Sequence, residues 1–490
     1  MRRCLGDRYV EAYSSERILR RVTDVTWRVP GVPMKRAEID HLGILPLAGV
    51  CTYDEACKAG YDVDRNVNLL KRYNYVLSSL NRILAAHIAR TPEWEVKCAF
   101  GLHSWLVAEH AAALRTRVAE MREPPLHLDT VPDVRLQTWM DEVIRATSTA
   151  ELLTGIYHVV LPELVRALDK HVDETNPLVD YPTCRMIKTI HREARDMVLW
   201  GEQALTALTQ SPEQSWAADL WADHLRSFLR AAGGIADDLP ELDEQTAPRP
   251  RAHGQPYDMD ATPQRDHRFV DRFNCSARID EYYRDEDLEP EERVYALLYK
   301  RLREMDVPEW MGPILYKTQN KPWDYYVDLS RQLWDEVRHA MMGEVSLYRA
   351  GVPFYRYPIS ILSSAVLNHA FTPREAHLFL WGIEQSLMPR TTGKRYEWDI
   401  ARSSHDALAV TYQDYDWADE VLHAQIGRRW LVPDYGSMDE MRVAFQLLLA
   451  KFYREVYEFT PLSPQEEWWP AFVTEIRQRR TPDAPVLGAS

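Results

Sequence analysis

The sequence predicts an all-α protein with two helical blocks, and three observations carry that prediction. Long stretches are rich in Ala, Leu, Glu, Arg and Met, with apolar residues recurring at three and four, the period of a helix buried along one face. A Gly-, Pro- and Asp-rich stretch without a sustained period, "GGIADDLPELDEQTAPRPRAHGQPYDMDATPQRD" at 233–266, interrupts that pattern. The pattern on its two sides then runs through a similar order of helices.

In chain order, residues 1–64, with Pro30, Pro33 and Pro46, predict an irregular arm. Helical pattern begins after Asp64, a residue suited to a helix cap, and fills 65–232. Residues 233–288 are expected as a linker, 289–460 as the second helical block, and 461–490, ending "RQRRTPDAPVLGAS", as a tail.

Sliding one block along the other sets "WLVAEHAAALRTRV" (105–118) against "WDEVRHAMMGEVSL" (334–347), so that Trp105 meets Trp334 and His110 meets His339. "DMVLWG" (196–201) meets "DEVLHA" (419–424), and "TGIYHVV" meets "LWGIEQS" through a shared Gly-Ile. These matches predict an internal repeat.

With 490 residues, the chain has room for several cores, and an apolar fraction of 46% with 16 Trp and 25 Tyr fits a globular protein dense in aromatics. A balance of 59 basic to 74 acidic residues argues against nucleic acid as a partner. No apolar run approaches membrane-span length, and "MRRCLGDRYVEAY" lacks a signal-peptide core, so a soluble cytoplasmic protein is expected. Six scattered cysteines without CxxC spacing predict reduced thiols.

In the second block the expected elements are helix A (about 291–319), a turn at Asn320-Lys321-Pro322, helix B (324–350), a long connection, helix C (Pro373 to about Met388) and helix D (about 399–430). A fifth helix, "MDEMRVAFQLLLAKFYREVYEF", follows. Two antiparallel pairs joined by one long crossover is the plan of a ferritin-like bundle.

Helices B and D carry the chemistry. Glu336 and His339 are three apart, as are Glu420 and His423, so each pair projects from one helical face and can chelate a metal. Each pair is preceded by an aspartate, Asp335 and Asp419, and the two copies lie 84 residues apart. A metal-ligating imidazole usually donates its other N–H to a carboxylate, and Asp335 and Asp419 are placed to serve, each reaching the other helix's histidine. Carboxylate with imidazole suits iron, manganese or zinc. A third Glu-x-x-His, Glu38 with His41, is background.

Two metals also need carboxylates from helices A and C. Helix C offers Glu384, set in the apolar run "LFLWGIEQSLM". On helix A, Glu309 is favoured because antiparallel helices turning near residue 322 would bring it level with Glu336, and Glu304 is the alternative. The first block has Leu80, Val107, Tyr157, Met197 and Trp200 at the matching positions and keeps only His110, so it is expected to be a degenerate bundle without metal. Trp334, Tyr316, Tyr325 and Tyr326 are expected mainly as core, with electron relay or a radical as the alternative, and His369, His377 and His405 as exposed or capping residues, with contact to the ligands or substrate as the alternative.

Glu309, Glu336-x-x-His339, Glu384 and Glu420-x-x-His423 resemble the ligand set of the ferritin-like non-haem di-iron carboxylate superfamily. The doubled Asp-Glu-x-x-His, with Arg338 in the first copy as a supporting residue, is similar to the hydroxylase subunits of bacterial multicomponent monooxygenases and, more loosely, to ribonucleotide reductase small subunits. The resemblance spans residues 291–430 and departs from the monooxygenase hydroxylases in length and in carrying a second bundle. It implies a ferritin-like bundle there with two iron ions, Mn/Fe or two Mn being variants, and the internal repeat extends this to two ferritin-like bundles, the first degenerate. It implies an oxidase or oxygenase using O2 on a small organic substrate, by hydroxylation, desaturation, N-oxygenation or oxidative cleavage; partner subunits and the particular substrate do not transfer, and an electron-donor protein is an open partner. Ferroxidase or metal storage without an organic substrate, or a structural protein with a vestigial site, are the alternatives. The oligomeric state stays open.

Overall fold

A computed structural model describes residues 27–29, 32–34, 39, 41–240, 248–251, 254–459 and 464–479. Most of the expected N-terminal arm and the end of the expected tail lie outside them. Among the described residues the protein is helical apart from one antiparallel pair, β1 (Trp27–Val29) and β2 (Val32–Met34). No helix among them is long and apolar enough to cross a membrane.

After a one-turn helix, α1 (Tyr53–Ala56), the first block opens on α2 (Val63–His87). Its cap is Asp62, whose carboxylate accepts the Arg65 N–H at 2.7 Å; Asp64 sits inside the first turn instead. There follow α3 (Trp94–Met121), α4 (Val134–Val143) and α5 (Thr149–Leu153), which continues through a π-helical stretch, Thr154–Val160, into α6 (Leu161–Glu174). Next come α7 (Tyr181–Leu208) and α8 (Pro212–Ala231), the latter started by a Ser211/Gln214 capping box.

The described residues of the 233–288 stretch connect the blocks while packed against them. Met259, Ala261 and Ala277 are buried, the Gln264 carbonyl accepts from Lys97 on α3 at 2.8 Å, and a short helix, α9 (Ile279–Arg284), ends the stretch.

The second block holds α10 (Pro290–Arg303), α11 (Asp306–Lys317), α12 (Trp323–Arg349), α13 (Leu362–Ala370), α14 (Pro373–Ser386), α15 (Lys394–Ser403), α16 (Ala407–Tyr435) and α17 (Met438–Phe459). Expected helix A is therefore two helices, broken at Glu304 and Met305. Pro308 explains the break, because a proline cannot donate to the carbonyl four residues back, here that of Glu304, and its ring crowds that carbonyl. Expected helix D is also two, divided where His405 takes a left-handed φ of 57° and Asp406 caps α16.

The segment expected as a tail carries α18 (Trp469–Arg479), which buries Trp469, Phe472 and Ile476 and packs on Tyr299 of α10. α10 packs on α12, α12 on α16, α16 on α14 and α14 on α11, closing a ring of helices. α2 and α3 pack against α11 and α12 from outside that ring. Within it, α10 and α12 touch backbone to backbone at Gly343, where a Cβ would lie 2.4 Å from the Leu302 nitrogen. That contact is four residues from His339 and two from Glu304, and it sets the distance between them.

Candidate metal centre

Inside the ring, side chains from α10, α12, α14 and α16 meet in two groups. Glu336, Glu384, Glu420 and His423 form one, and Glu304, His339 and Asp416 the other; within each group the donor atoms lie within 4.8 Å of one another. His423 Nδ1 is 3.2 Å from Glu336 Oε1, 3.3 Å from Glu420 Oε2 and 3.9 Å from Glu384 Oε1. His339 Nδ1 is 3.4 Å from Glu304 Oε2, 3.6 Å from Asp416 Oδ1 and 3.7 Å from Glu336 Oε2. Glu336 thus presents one oxygen to each imidazole and joins the groups.

The i,i+3 and i,i+4 spacing on α16 aims Asp416, Glu420 and His423 from one face, as Glu336 and His339 are aimed from α12. Behind each ring stands the aspartate of the opposite helix. Asp419 Oδ2 lies 3.2 Å from His339 Nε2, and Asp335 Oδ2 lies 3.4 Å from His423 Nε2. Arg338 donates to both Asp335 and Asp419, the latter at 2.8 Å, and Arg331 adds a second cation on Asp335. Each Nε2–H therefore has an acceptor, which leaves Nδ1 as the ring atom facing the cluster.

Burial alone would keep His339 and His423 neutral. The carboxylates around His339, those of Asp419, Glu304 and Glu336, instead raise its pKa well above the ordinary imidazole range, and Asp335, Glu336 and Glu420 do the same for His423. Burial and the facing Glu420 carboxylate push Glu384 well up. Burial would raise Glu420 too, yet the Lys394 ammonium holds it well below its ordinary value. The common cause is a concentration of carboxylates in a dry core, which draws positive charge from any source.

Whether these residues fit a metal pair is decided by their unsatisfied atoms. Glu304 Oε2, Glu336 Oε1, Glu420 Oε2, His339 Nδ1 and His423 Nδ1 are all buried without a hydrogen-bond partner. Five orphaned donors converging in one core would be costly for a fold that never filled the space, and they are the atom types that divalent first-row metals take. The residues fit.

One expected ligand is corrected. Glu309 lies on α11 beyond the break, buried, and forms ion pairs with Lys97 of α3 and with Arg265 of the connecting segment. The Pro308 break ends the continuous helix that would have brought it level with Glu336, and Glu304, at the end of α10, stands beside His339 in its place. Glu336, His339, Glu384, Glu420 and His423 come together, with Asp335, Asp419 and Arg338 around them. Gln332 Nε2 holds Glu384 Oε1 at 3.2 Å.

Three residues escape the sequence reading. Asp416 had a signal, since it lies four before Glu420 and seven before His423 on one face. Arg301, in "LLYKRLREM", and Lys394, in "TTGKRYEWD", look like ordinary solvated cations, yet both are fully buried. Lys394 Nζ lies 2.8 and 2.9 Å from the two Asp416 oxygens and 2.9 Å from Glu420 Oε1. Arg301 pairs with Asp416 and, at 2.9 Å, with Glu304.

The aromatic candidates stand elsewhere. Tyr316 and Tyr326 donate to the Tyr257 and Thr318 carbonyls, while Tyr325 packs on His377 and Trp430. At the matching positions of the first block, Leu80, Val107, Tyr157 and Met197 are buried, the Tyr157 hydroxyl meets His103 Nδ1 at 2.7 Å, and His110 pairs with Glu193. Both groups of three or more converging carboxylate and imidazole side chains found among the described residues belong to the second block. Compared with protein-family models, curated proteins and solved structures, the chain matches none.

Proposed function

We propose that the chain is a non-haem di-iron oxidase or oxygenase that uses O2 on a small organic substrate, by hydroxylation, desaturation, N-oxygenation or oxidative cleavage. The observation that carries this reading is Glu336, whose two oxygens face two imidazoles, each backed by an aspartate. In the same reading the ring of α10/α11, α12, α14 and α15/α16 is a ferritin-like bundle, and the first block is a degenerate copy whose core side chains fill the corresponding space. Reduced thiols at Cys51, Cys57, Cys98, Cys184 and Cys275 fit work in the cytoplasm.

Glu304 with His339, and Glu384 and Glu420 with His423, would hold the two ions, with Glu336 between them. When bound, a ferrous pair supplies electrons to O2. The protein's own part is positional. Asp335 and Asp419 accept the imidazole Nε2 protons and fix the tautomer that leaves Nδ1 free; Arg338 ties the two aspartates so that the rings keep one orientation. Gln332 donates to Glu384 and orients its carboxylate. Leu329, Leu333, Val337 and Ala340 on α12, all fully buried, exclude water from the helix interfaces around the cluster.

Anaerobic loading of the full chain with ferrous ion tests the reading, followed by O2 exposure with optical and Mössbauer detection. Two irons per chain, and an oxidation transient that decays faster with an organic substrate, is the expected result. Zero or one iron per chain would refute the di-iron site. Ferric oxide building up over many turnovers would favour ferroxidase or storage instead.

A further inference from the structure

Lys394 is the residue that a symmetric pair of metal positions does not explain. It is fully buried at the first position of α15, and its ammonium lies within 2.9 Å of three carboxylate oxygens belonging to Asp416 and Glu420. The chain holds it there by a tight turn. The Lys394 N–H donates to the Leu387 carbonyl at 3.0 Å, and at Gly393 a Cβ would lie 2.0 Å from that same oxygen, so only glycine fits.

Two consequences follow from the geometry. Glu336 offers an oxygen to each imidazole, whereas Glu420 offers only Oε2, because Lys394 occupies Oε1. Asp416 carries both Lys394 and Arg301, and Arg301 also pairs with Glu304. Both fixed cations therefore crowd the Glu304, His339 and Asp416 group, while the Glu336, Glu384, Glu420 and His423 group meets one of them, at a single oxygen.

Charge balance points the same way. Five carboxylates line the cluster, Glu304, Glu336, Glu384, Asp416 and Glu420, against two buried cations, Arg301 and Lys394. The remaining buried acids have partners of their own, Glu397 in Lys300 at 2.5 Å, and Asp335 and Asp419 in Arg331 and Arg338. In the protonation state that metal ligation requires, with all five carboxylates ionised and both imidazoles neutral, the cluster carries three net negative charges. A first divalent ion reduces that to one, and a second must enter against a nearly balanced site.

We propose that Lys394, acting with Arg301, makes the two metal positions unequal. The Glu336–Glu384–Glu420–His423 position fills first, and the Glu304–His339–Asp416 position fills second and more weakly. Lys394 is a positioning residue in this role, and the inference rests on the di-metal reading above.

Anaerobic titration of the full metal-free chain with Co(II), followed by calorimetry and visible absorbance, tests it together with anomalous diffraction from crystals given one equivalent. Two binding classes are expected, separated by at least about tenfold, with the first ion among Glu336, Glu384, Glu420 and His423. Lys394→Met should tighten the second class by about tenfold or more and the first class by less. Two equal classes, a first ion at Glu304 and His339, or a Lys394→Met chain whose second class is unmoved or weaker would overturn the proposal while leaving the metal pair standing. No bound Co(II) at all would overturn the metal reading itself. Should Lys394→Met fail to fold, the position of the first ion in the unaltered chain decides the matter alone.

Discussion

Replacing Glu309 and Glu304 in turn by glutamine separates two roles that the sequence leaves interchangeable. Glu309 is the carboxylate ion-paired with two buried cations, with side-chain exposures of 0% for Lys97 and 2% for Arg265. Burial already pulls Lys97 down to about 8 with Glu309 present. Without that carboxylate Lys97 can shed its proton near neutrality, but Arg265 cannot, and a buried guanidinium loses its ion pair and keeps only the field of Asp306. Breaking such a pair costs about 3–5 kcal/mol. Glu304→Gln takes one negative charge from a cluster that holds an excess of them, so the metal-free fold should change by less than about 1 kcal/mol. Metal content after anaerobic ferrous loading, measured beside denaturant unfolding of the metal-free protein, reads both effects. Glu309→Gln should keep two irons per chain and unfold at clearly lower denaturant; Glu304→Gln should keep its stability and lose one iron. An intact fold with lost iron in the Glu309 variant, or two irons retained in the Glu304 variant, would refute the assignment.

Three further outcomes can be measured on the same protein. Burial holds the His87 imidazole at about 4, below the 6.5 of the unfolded chain, with its Nε2–H donating to the Ile144 carbonyl at 2.8 Å. The unfolded state therefore takes up the proton first, so this contribution is complete above pH 6.5 and falls by roughly 3 kcal/mol as pH drops to 4. His87→Gln should flatten that acid limb in denaturant unfolding between pH 4 and 7, and an unchanged slope would contradict it. Asp335→Asn weakens the acceptor behind His423 and should cost about 10–100-fold in affinity for the metal held there; identical titration curves would show that Asp335 does not orient the ring. Gly343→Ala forces α10 from α12 at Leu302 and should destabilise by about 1–3 kcal/mol or more, with Glu304 and His339 moved apart and the weaker metal lost. A variant that loads both ions normally would exclude this contact as the spacer.

The helical class was legible because apolar residues recur at helical period over most of the chain, and the Asn320–Pro322 turn because its residues cannot continue a helix. Breaks inside helices were harder to see. Pro308 stands in an apolar run with Trp310 and Met311, and its effect falls four residues earlier, on a carbonyl that composition does not mark. The stretch ending in α18 looked loose for a related reason. Its burial of Trp469 and Phe472 comes from Tyr299 on α10, far away in sequence, and isolated aromatic residues in a short polar segment carry no period.

The centre divides along the same physical line. Two Glu-x-x-His pairs and their preceding aspartates are local patterns, since a helix turn alone fixes the distance between positions three or four apart. Asp416 belongs to that local set, one turn before Glu420, and a search for acids along the whole α16 face would have found it. Arg301 and Lys394 belong to the other kind. A buried cation is stable only where anions from other elements meet it, and here Asp416 and Glu420 of α16 receive Lys394 from a turn closed by Gly393, and Arg301 from the end of α10. Local chemistry therefore announces the carboxylate–imidazole groups of the proposed two-ion site, whereas the charges that would make its positions unequal come from tertiary contacts, and a sequence shows such residues only as surface lysine and arginine.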